Sequence, residues 1–158
     1  MKGLIMQLKG KTAIITGGGS GFGASMADLF AKNGAKVIVA DIDLDNAHKV
    51  AEGTGGYALE VDVSNAKSVE QMKIDIFKEH KKVDIVVNNA GTTHLPAPME
   101  TIEEDEFDRV FNVNCKSVYL TAKHFVPHFK ENKSGVILNI ASTAGVSPRP
   151  NLNWYNSS

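Results

Sequence analysis

The sequence predicts an α/β fold built on a doubly wound parallel sheet, and three observations support this. Short apolar runs alternate along the chain with longer stretches of helical periodicity. Several of those runs are apolar almost throughout, which is typical of parallel strands that helices cover on both faces. A glycine-rich stretch separates the first run from the first helical pattern. Repeated strand–helix–strand units require right-handed crossovers, and these build an open sheet with helices on both sides.

The apolar runs predict five strands, over residues 13–16, 36–40, 57–61, 83–87 and 136–140. Helical periodicity predicts helices over about 22–33, 45–52, 66–80 and 103–131. Asn33-Gly34 is typical of a helix that ends in a left-handed residue, and Ser64 is the predicted N-cap of the third helix. No linker, repeat or low-complexity segment interrupts the pattern, so residues 1–158 are predicted to form one domain without an internal boundary.

The composition excludes several classes of protein. The chain carries 17 basic and 18 acidic side chains in a mixed pattern, so no surface for nucleic acid or an anionic membrane is expected. No apolar run approaches the roughly 20 residues of a membrane span. The single cysteine, Cys115, excludes an internal disulfide and suits a reducing compartment, which favours the cytoplasm. His124 and His128 lie four positions apart, but without an H-E-x-x-H pattern they predict no metal site.

Residues 141–158 do not continue the alternation of strands and helices. The apolar run at 136–140 is expected to be a strand buried on both faces, so a helix and a further strand should come after it. The chain continues instead with a loop that contains Pro148 and Pro150, and then with the start of a helix. We therefore expect the C-terminal strands and helices of the domain to be missing from these 158 residues.

A glycine-rich turn over residues 16–23, TGGGSGFG, joins the first strand to the first helix. Glycines allow such a turn to be tight and let the backbone approach a pyrophosphate, which the N–H groups and dipole of the helix N-terminus then bind. Gly17 is the favoured first turn residue, although Gly19, Gly21 and Ala24 also fit the G-x-G-x-x-G/A spacing. A purely structural turn is the alternative. The candidate cofactor residues here are Gly17, Ser20, Gly21, Phe22 and Gly23.

The second predicted strand is followed by Asp41, 18 positions after Gly23. A carboxylate at this place can accept hydrogen bonds from both hydroxyls of an adenosine ribose, and it repels a 2′-phosphate. No Arg or Lys occurs between Ile42 and Asp45, so the pattern favours NAD over NADP as the cofactor. The alternative is an ordinary turn aspartate at the end of a strand.

Six motifs, in order along the chain, make it similar to the short-chain dehydrogenase/reductase family, whose domain has the Rossmann fold. The T-G-x-x-x-G-x-G run lies at 16–23, and N-N-A-G follows the fourth predicted strand at 88–91. The others match the family's adenine-flanking pair, helix asparagine, catalytic serine and catalytic tyrosine, and they are Asp62-Val63, Asn114, Ser142 and Tyr155. The resemblance runs from about residue 8 to residue 158. It also implies cofactor contacts by Ile42, Asn89, Ala90 and Gly91.

The resemblance implies hydride transfer between NAD and a secondary alcohol or its ketone, with 3-oxoacyl thioesters among the family's substrates. Tyr155 is then the general acid/base, Ser142 orients the substrate oxygen, and Asn114 joins a water relay. The family also implies a homodimer or homotetramer of the full protein.

The family's catalytic motif is Tyr-x-x-x-Lys, and Ser158 fills the place just before the lysine. A tyrosine phenol ordinarily titrates near pH 10, so a tyrosine that acts as a base at neutral pH requires a neighbouring cation. We therefore expect the 158-residue chain alone to be inactive as a dehydrogenase.

Each catalytic assignment has an alternative in the residues themselves. Ser142 follows a strand and can simply cap a turn, Tyr155 can pack beside Trp154, and Asn112 lies within reach of the role given to Asn114. For the whole chain, the alternative function is a non-catalytic NAD-binding module. The presence of both Ser142 and Tyr155 argues against it, because a binding module needs neither side chain.

Overall fold

A computed structural model of the chain describes residues 8–158. Residues 1–7 of the predicted domain lie outside the described part. Residues 8–158 contain one five-stranded sheet in which every strand pair is parallel. The strands are β1 (Thr12–Thr16), β2 (Lys36–Asp41), β3 (Tyr57–Glu60), β4 (Ile85–Asn88) and β5 (Val136–Asn139). Their order is β3-β2-β1-β4-β5, which confirms the predicted doubly wound fold. The order reverses between β1 and β4, and ligands of such sheets bind in the crevice at the carboxyl ends of these two strands.

In the described part of the chain, six α-helices pack around the sheet or follow it: α1 (Gly21–Lys32), α2 (Leu44–Thr54), α3 (Ala66–Glu79), α4 (Glu104–Phe111), α5 (Ser117–Glu131) and α6 (Asn153–Ser157). The single long helix predicted over 103–131 is wrong in one respect. Residues Asn112–Lys116 between α4 and α5 form a π-helical segment. Such a wide turn shifts the direction of the side chains that follow it, and π-helical turns are frequent at functional sites.

The ends of two helices test the predicted caps. Gly34 follows α1 with a φ of 88°, which confirms the left-handed residue expected there. Ser64 is not the N-cap of α3, because its N–H and hydroxyl both donate to Oδ1 of Asp62, at 2.9 and 2.6 Å. The N-cap is Asn65, whose Oδ1 accepts from the backbone N–H groups of Lys67 and Ser68. The carboxylate of Asp62 is the stronger acceptor for the serine, and the amide one position later caps the helix instead.

The three central strands are buried on both faces, as predicted. Successive residues alternate between two hydrophobic clusters, one on each side of the sheet, so that Ile14 lies in one cluster and Ile15 in the other. The same alternation holds for Ile38 and Val39 of β2 and for Val86 and Val87 of β4. Burial of each such side chain contributes about 1.5–3 kcal/mol to folding. The core therefore lies on both sides of the strands that carry the candidate site.

Within residues 8–158, the last strand is not buried on both faces as predicted. Val136 and Leu138 of β5 are 58% and 42% exposed, and Ile140 after it is 41% exposed. Ile137 points to the other face and packs partly against the core. Among the described strands, β5 pairs with β4 alone, so it forms an edge of the sheet. A helix of the described chain covers only one face of this strand, and the period of two along the strand exposes the other.

The amino-terminal edge of the sheet is held by Asp84, a buried carboxylate just before β4. Its Oδ2 accepts from the backbone N–H of Thr12 at 3.1 Å, and its Oδ1 pairs with the ammonium groups of Lys82 and Lys11 at 2.7 and 3.3 Å. Burial alone would raise the pKa of Asp84, but the hydrogen bonds from Lys82, Thr12 and Lys11 outweigh it and hold the pKa below its usual value.

None of the helices within residues 8–158 has the length and apolar character needed to cross a membrane.

Candidate active site

The glycine-rich turn lies at the carboxyl end of β1 and packs against two neighbouring backbones. A Cβ at Gly17 would lie 2.9 Å from Cα of Ala90, and Gly17 has a φ of 61°. A Cβ at Gly23 would lie 2.1 Å from the carbonyl oxygen of Gly17. Since real Cβ atoms do not approach backbone this closely, only glycine fits at these two positions. The turn is therefore tight, as the sequence predicted, and the structure places it against the segment after β4.

Thr16, which the sequence reasoning did not single out, connects the turn to the N-N-A-G segment. Its hydroxyl donates to the carbonyl of Val87 at 3.3 Å and accepts from the N–H groups of Asn89 and Ala90, both at 3.1 Å. The amide of Asn89 donates in return to the carbonyls of Thr16 and Gly17, at 2.9 and 3.1 Å. Asn89, predicted to bind cofactor, thus has its amide group engaged in holding the turn. The signal for Thr16 was its place as the first letter of the glycine motif.

The other residues of the turn form an open surface at the start of α1. Ser20 is the N-cap residue and makes no side-chain capping bond, so the N–H groups of the first turn are available to an anion. Phe22 is 82% exposed, and a Cβ at Gly21 would meet nothing within 4 Å. This open helix end beside a closed glycine turn suits a bound pyrophosphate.

Asp41 ends β2 and faces the same turn. Its Oδ2 accepts from the N–H of Gly19 at 2.8 Å, and its Oδ1 accepts from the N–H of Asp43 at 3.0 Å. A carboxylate has about four acceptor positions, so two remain for ribose hydroxyls. Ile42, the next residue, is 69% exposed. The predicted ribose-binding carboxylate therefore lies at the glycine turn and keeps room to accept further hydrogen bonds.

Asp62 and Val63 follow β3 on the same side of the sheet. The carboxylate of Asp62 accepts from Ser64, while its N–H donates to the hydroxyl of Ser68 at 3.0 Å. The side chain of Val63 is buried in the core. Of this predicted adenine-flanking pair, Asp62 is half-buried and Val63 is buried.

Asn114 lies in the π-helical segment and reaches across to the loop after β4. Its Oδ1 accepts from the N–H of Thr92 at 2.8 Å, and its Nδ2 donates to the carbonyl of the same residue at 2.9 Å. The same Nδ2 lies 2.8 Å from the hydroxyl oxygen of Ser158 just after α6. A Cβ at Gly91 would lie 3.6 Å from Oδ1 of Asn114. Asn114, and not Asn112, thus joins the loop after β4 to the segment that carries Tyr155.

Ser142 and Tyr155 lie on the segment that follows β5. The hydroxyl oxygen of Ser142 accepts from the N–H of Ala144 at 3.1 Å and caps the 3₁₀ turn Thr143–Gly145. This is the capping role that the sequence left open, but a serine that accepts through its oxygen still has a proton to donate. Tyr155 is half-buried in α6, and α6 packs against both that turn and α4. The fold thus brings the two side chains to neighbouring elements at the carboxyl edge of the sheet.

Arg109 of α4 was missed by the sequence reasoning. Its guanidinium donates to the hydroxyl of Thr92 and, at 2.9 Å, to the carbonyl of Thr93. It also forms two 2.8 Å bonds with the carboxylate of Glu106 and holds the pKa of that carboxyl below its usual value. The only local signal is the spacing of three between Glu106 and Arg109 on a helix. Arg109 and Asn114 together hold the backbone of the loop on both sides of Thr92.

A family model described as short chain dehydrogenase matches residues 11–158. The chain belongs to the short-chain dehydrogenase family. The chain is 44% identical, over 158 residues, to 4-formylbenzenesulfonate dehydrogenase TsaC1/TsaC2 of Comamonas testosteroni; the match covers 97% of this chain and 63% of that protein. It is 34% identical over 160 residues to the 3-oxoacyl-acyl-carrier-protein reductase FabG of Thermotoga maritima, with 97% and 64% of the two chains covered.

The fold of the chain agrees with that of a solved protein structure. The structure of 3-ketoacyl-(acyl-carrier-protein) reductase from Brucella melitensis complexed with NADH matches it with a TM-score of 0.92 and 47% identity. That match covers 95% of this chain and 64% of the Brucella chain. The chain therefore spans a little under two thirds of the length of the relatives named here.

Proposed function

We propose that the protein is an NAD-dependent dehydrogenase that transfers hydride between NAD and a secondary alcohol or its ketone. Membership of an oxidoreductase family supports the reaction class. The observation that carries the proposal is that Asn114 bonds to Ser158 beside α6, the helix of Tyr155, while α6 packs on the turn that Ser142 caps. These elements follow a sheet whose glycine turn admits no side chain at Gly17 or Gly23. We assign this role to residues 1–158 as one dinucleotide-binding domain.

The residues present fit a dinucleotide. In the proposed complex, Ser20, Gly21, Phe22 and the glycines on either side bind the pyrophosphate through the open N-terminus of α1. Asp41 and Ile42 hold the adenosine ribose, Asp62 and Val63 border the adenine, and Ala90 and Gly91 border the nicotinamide half. When bound, the dinucleotide supplies the hydride acceptor or donor at the nicotinamide C4.

Three side chains of this chain handle the substrate oxygen or its proton in the proposed reaction. The phenolate of Tyr155 takes the proton from the alcohol oxygen, and the phenol so formed donates it to a carbonyl oxygen in the reverse direction. The hydroxyl of Ser142 donates to the same oxygen and orients it. Asn114 is already bonded to Thr92 and Ser158, and it positions the water through which the proton leaves the site.

The first test concerns catalysis, and it uses the full-length product of the gene. Tyr155→Phe and Ser142→Ala are expected to lower kcat at least about 100-fold, since positioned acid–base groups contribute 10²–10⁴-fold. The dissociation constant of NADH should stay within about twofold. Tyr119→Phe is the matched control, because this tyrosine is 60% exposed on α5. NADH oxidation is followed at 340 nm with a panel of ketones. Binding of NADH without turnover of any ketone or alcohol would favour the non-catalytic binding module.

The preference for NAD over NADP rests on Asp41. Its carboxylate faces the turn through the bond to Gly19, and a negative charge there repels a 2′-phosphate. NADH is expected to bind at least about tenfold tighter than NADPH, and Asp41→Ala should reduce that ratio. Asp45→Ala, which removes an exposed acid in the first turn of α2, is the control. Equal affinities of the unmodified protein for NADH and NADPH would refute this part of the proposal.

A 3-oxoacyl thioester is the second candidate substrate. Similarity to two proteins named as acyl-carrier-protein reductases favours it. The two candidates separate in one assay, because a thioester reductase should prefer an acetoacetyl thioester to simple cyclic or aryl ketones by a large factor in kcat/KM. The opposite order would favour a dehydrogenase of free alcohols.

We also propose that a polypeptide of these 158 residues turns over negligibly by itself and at most binds dinucleotide weakly. Within that polypeptide, Asn156, Ser157 and Ser158 come after Tyr155, and none of these three supplies a positive charge to stabilise a phenolate. Turnover by the purified 158-residue chain at the rate of a longer product of the gene would contradict this. For that full-length protein we propose a homodimer or homotetramer, which light scattering after gel filtration would detect.

A further inference from the structure

Helix α6, which carries Tyr155, is short and depends on other parts of the chain for its position. It spans five residues, Asn153–Ser157. Helices shorter than about 12 residues are marginal in water, so contacts outside α6 must hold it in place. The proposed reaction requires its tyrosine to be placed to within a fraction of an ångström. The residues on either side of Tyr155 both make such contacts.

Asn156 holds α6 to the loop that comes before it. Its Oδ1 accepts from the backbone N–H of Arg149 at 3.2 Å, and its Nδ2 donates to the carbonyl of the same residue at 2.9 Å. The amide therefore closes a pair of hydrogen bonds with one backbone unit seven positions earlier. This pair fixes both the distance and the orientation of α6 relative to the loop after β5.

Trp154 holds the opposite side of α6 to the segment after β4. Its indole N–H donates to the carbonyl of Met99 at 3.1 Å. Its ring lies edge-on to Phe107 with 5.3 Å between centroids, and Phe107 in turn stacks on Phe111 at 4.4 Å. A backbone bond of 3.0 Å from Ala97 to the carbonyl of Asn151 joins the same two segments. Trp154 thus ties the tyrosine helix to α4 and to the loop that Arg109 and Asn114 hold.

We propose that Trp154 and Asn156 are positioning residues for Tyr155, which fasten α6 to the loops after β4 and β5 so that the phenol meets the substrate oxygen. The inference rests on the proposed function, in which Tyr155 is the acid/base. It assigns a role to two residues whose side chains contact Arg149, Met99 and Phe107. Their side chains act through the position of the backbone between them.

The test compares Trp154→Phe, Asn156→Leu and the control Asn153→Ala in the full-length protein. Trp154→Phe keeps an aromatic ring against Phe107 and removes the N–H donor. Asn156→Leu keeps similar volume and removes both hydrogen bonds. Asn153 is exposed at the start of the same helix, and its side chain has no hydrogen bond within residues 8–158. The measurements are kcat, KM, the solvent isotope effect on kcat, the dissociation constant of NADH and Tm.

Both variants are expected to lower kcat by about 10- to 100-fold, because a misplacement of about 1 Å can cost 10²-fold. Affinity for NADH should stay within about twofold, since the glycine turn is untouched, and the solvent isotope effect should rise as proton transfer becomes slower. A merely structural role would lower Tm and NADH affinity together with kcat, and that pattern overturns the inference. Unchanged kcat in both variants also overturns it. If one variant fails to fold, the other decides. If the unmodified protein binds NADH but turns over no substrate, the proposed function fails as well.

Discussion

The two halves of the candidate site are built differently. The glycine side, residues 16–23 with 88–91, follows β1 and β4, whose central residues are buried on both faces of the sheet. The catalytic side, residues 142–158, follows β5, an edge strand whose Val136 and Leu138 are largely exposed. On the glycine side, backbone packs on backbone, and on the catalytic side, long side chains reach to loop carbonyls. A substitution on the glycine side should therefore lower the free energy of unfolding and the affinity for the cofactor. A substitution on the catalytic side should mainly lower kcat.

Gly23→Ala should have the largest effect. The new Cβ would lie 2.1 Å from the carbonyl oxygen of Gly17 and 2.7 Å from Nδ2 of Asn89, and backbone cannot move aside without opening the turn. We expect a loss of at least about 4 kcal/mol in the free energy of unfolding and loss of NADH binding. Urea unfolding and NADH fluorescence measure the two quantities. Gly53→Ala is the control, because a Cβ there meets nothing within 4 Å and a glycine within a helix is unfavourable by about 0.5–1 kcal/mol. If Gly23→Ala bound NADH as tightly as the unmodified protein, the expected difference between the two sides of the site would be wrong.

Ile14→Ala and Leu138→Ala compare the two kinds of strand directly. Ile14 is fully buried in β1, so its truncation should cost about 3–4 kcal/mol of unfolding free energy through lost burial and a cavity. Leu138 is 42% exposed in β5, so its truncation should cost less than about half as much. Chemical denaturation of the two variants measures both values. Equal losses would mean that β5 is as buried in the protein as β1.

Asp84→Asn tests how the carboxylate before β4 contributes to the pH dependence of stability. The pKa of Asp84 is lower in the folded chain than in the unfolded chain, where an aspartate titrates near about 3.9. The unfolded state therefore takes up the proton first, so the stability from this group is present at neutral pH and is lost as pH falls below about 5. Asp84→Asn should lower stability at pH 7 by about 1.5–3 kcal/mol and flatten the fall in stability between pH 5 and pH 3. If stability falls between pH 5 and pH 3 as steeply in Asp84→Asn as in the unmodified protein, other carboxyl groups cause that fall.

Arg109→Met should have the smallest effect on stability, below about 1 kcal/mol, because the guanidinium is partly exposed. Its effect should instead be local, as faster hydrogen exchange of the backbone amides of residues 92–95. Arg109→Lys keeps the charge but lacks the planar fork that reaches Thr92, Thr93 and Glu106 at once, so it should behave like Arg109→Met. If the amides of residues 92–95 exchange as slowly in Arg109→Lys as in the unmodified protein, the positive charge of Arg109 is enough to hold the loop.

Much of the fold was predictable because its signals are local. Alternating apolar runs and helical periods depend on neighbours within a few residues, and five strands with α1 to α3 were predicted from them. The glycine turn and Asp41 were predictable for the same reason, since each backbone requirement is set within a short segment. The N-cap at Asn65 was missed because Ser64, one position earlier, is an equally good cap by type, and only the carboxylate of Asp62 decides between them.

Sequence patterns alone predict the order of strands and helices, the glycine turn, the acidic residue after β2 and the spacing of Ser142 and Tyr155. The exposure of β5, the π-helical segment around Asn114 and the contacts of Arg109 and Trp154 become apparent only in the folded chain. The difference lies in how far apart in sequence the interacting residues are. Periodicity and turn chemistry act between residues close in sequence, whereas the bonds from Arg109 to Thr93, from Asn114 to Ser158 and from Trp154 to Met99 join residues 16, 44 and 55 positions apart. Those partners meet only once the parallel sheet has brought the carboxyl ends of its strands to one edge.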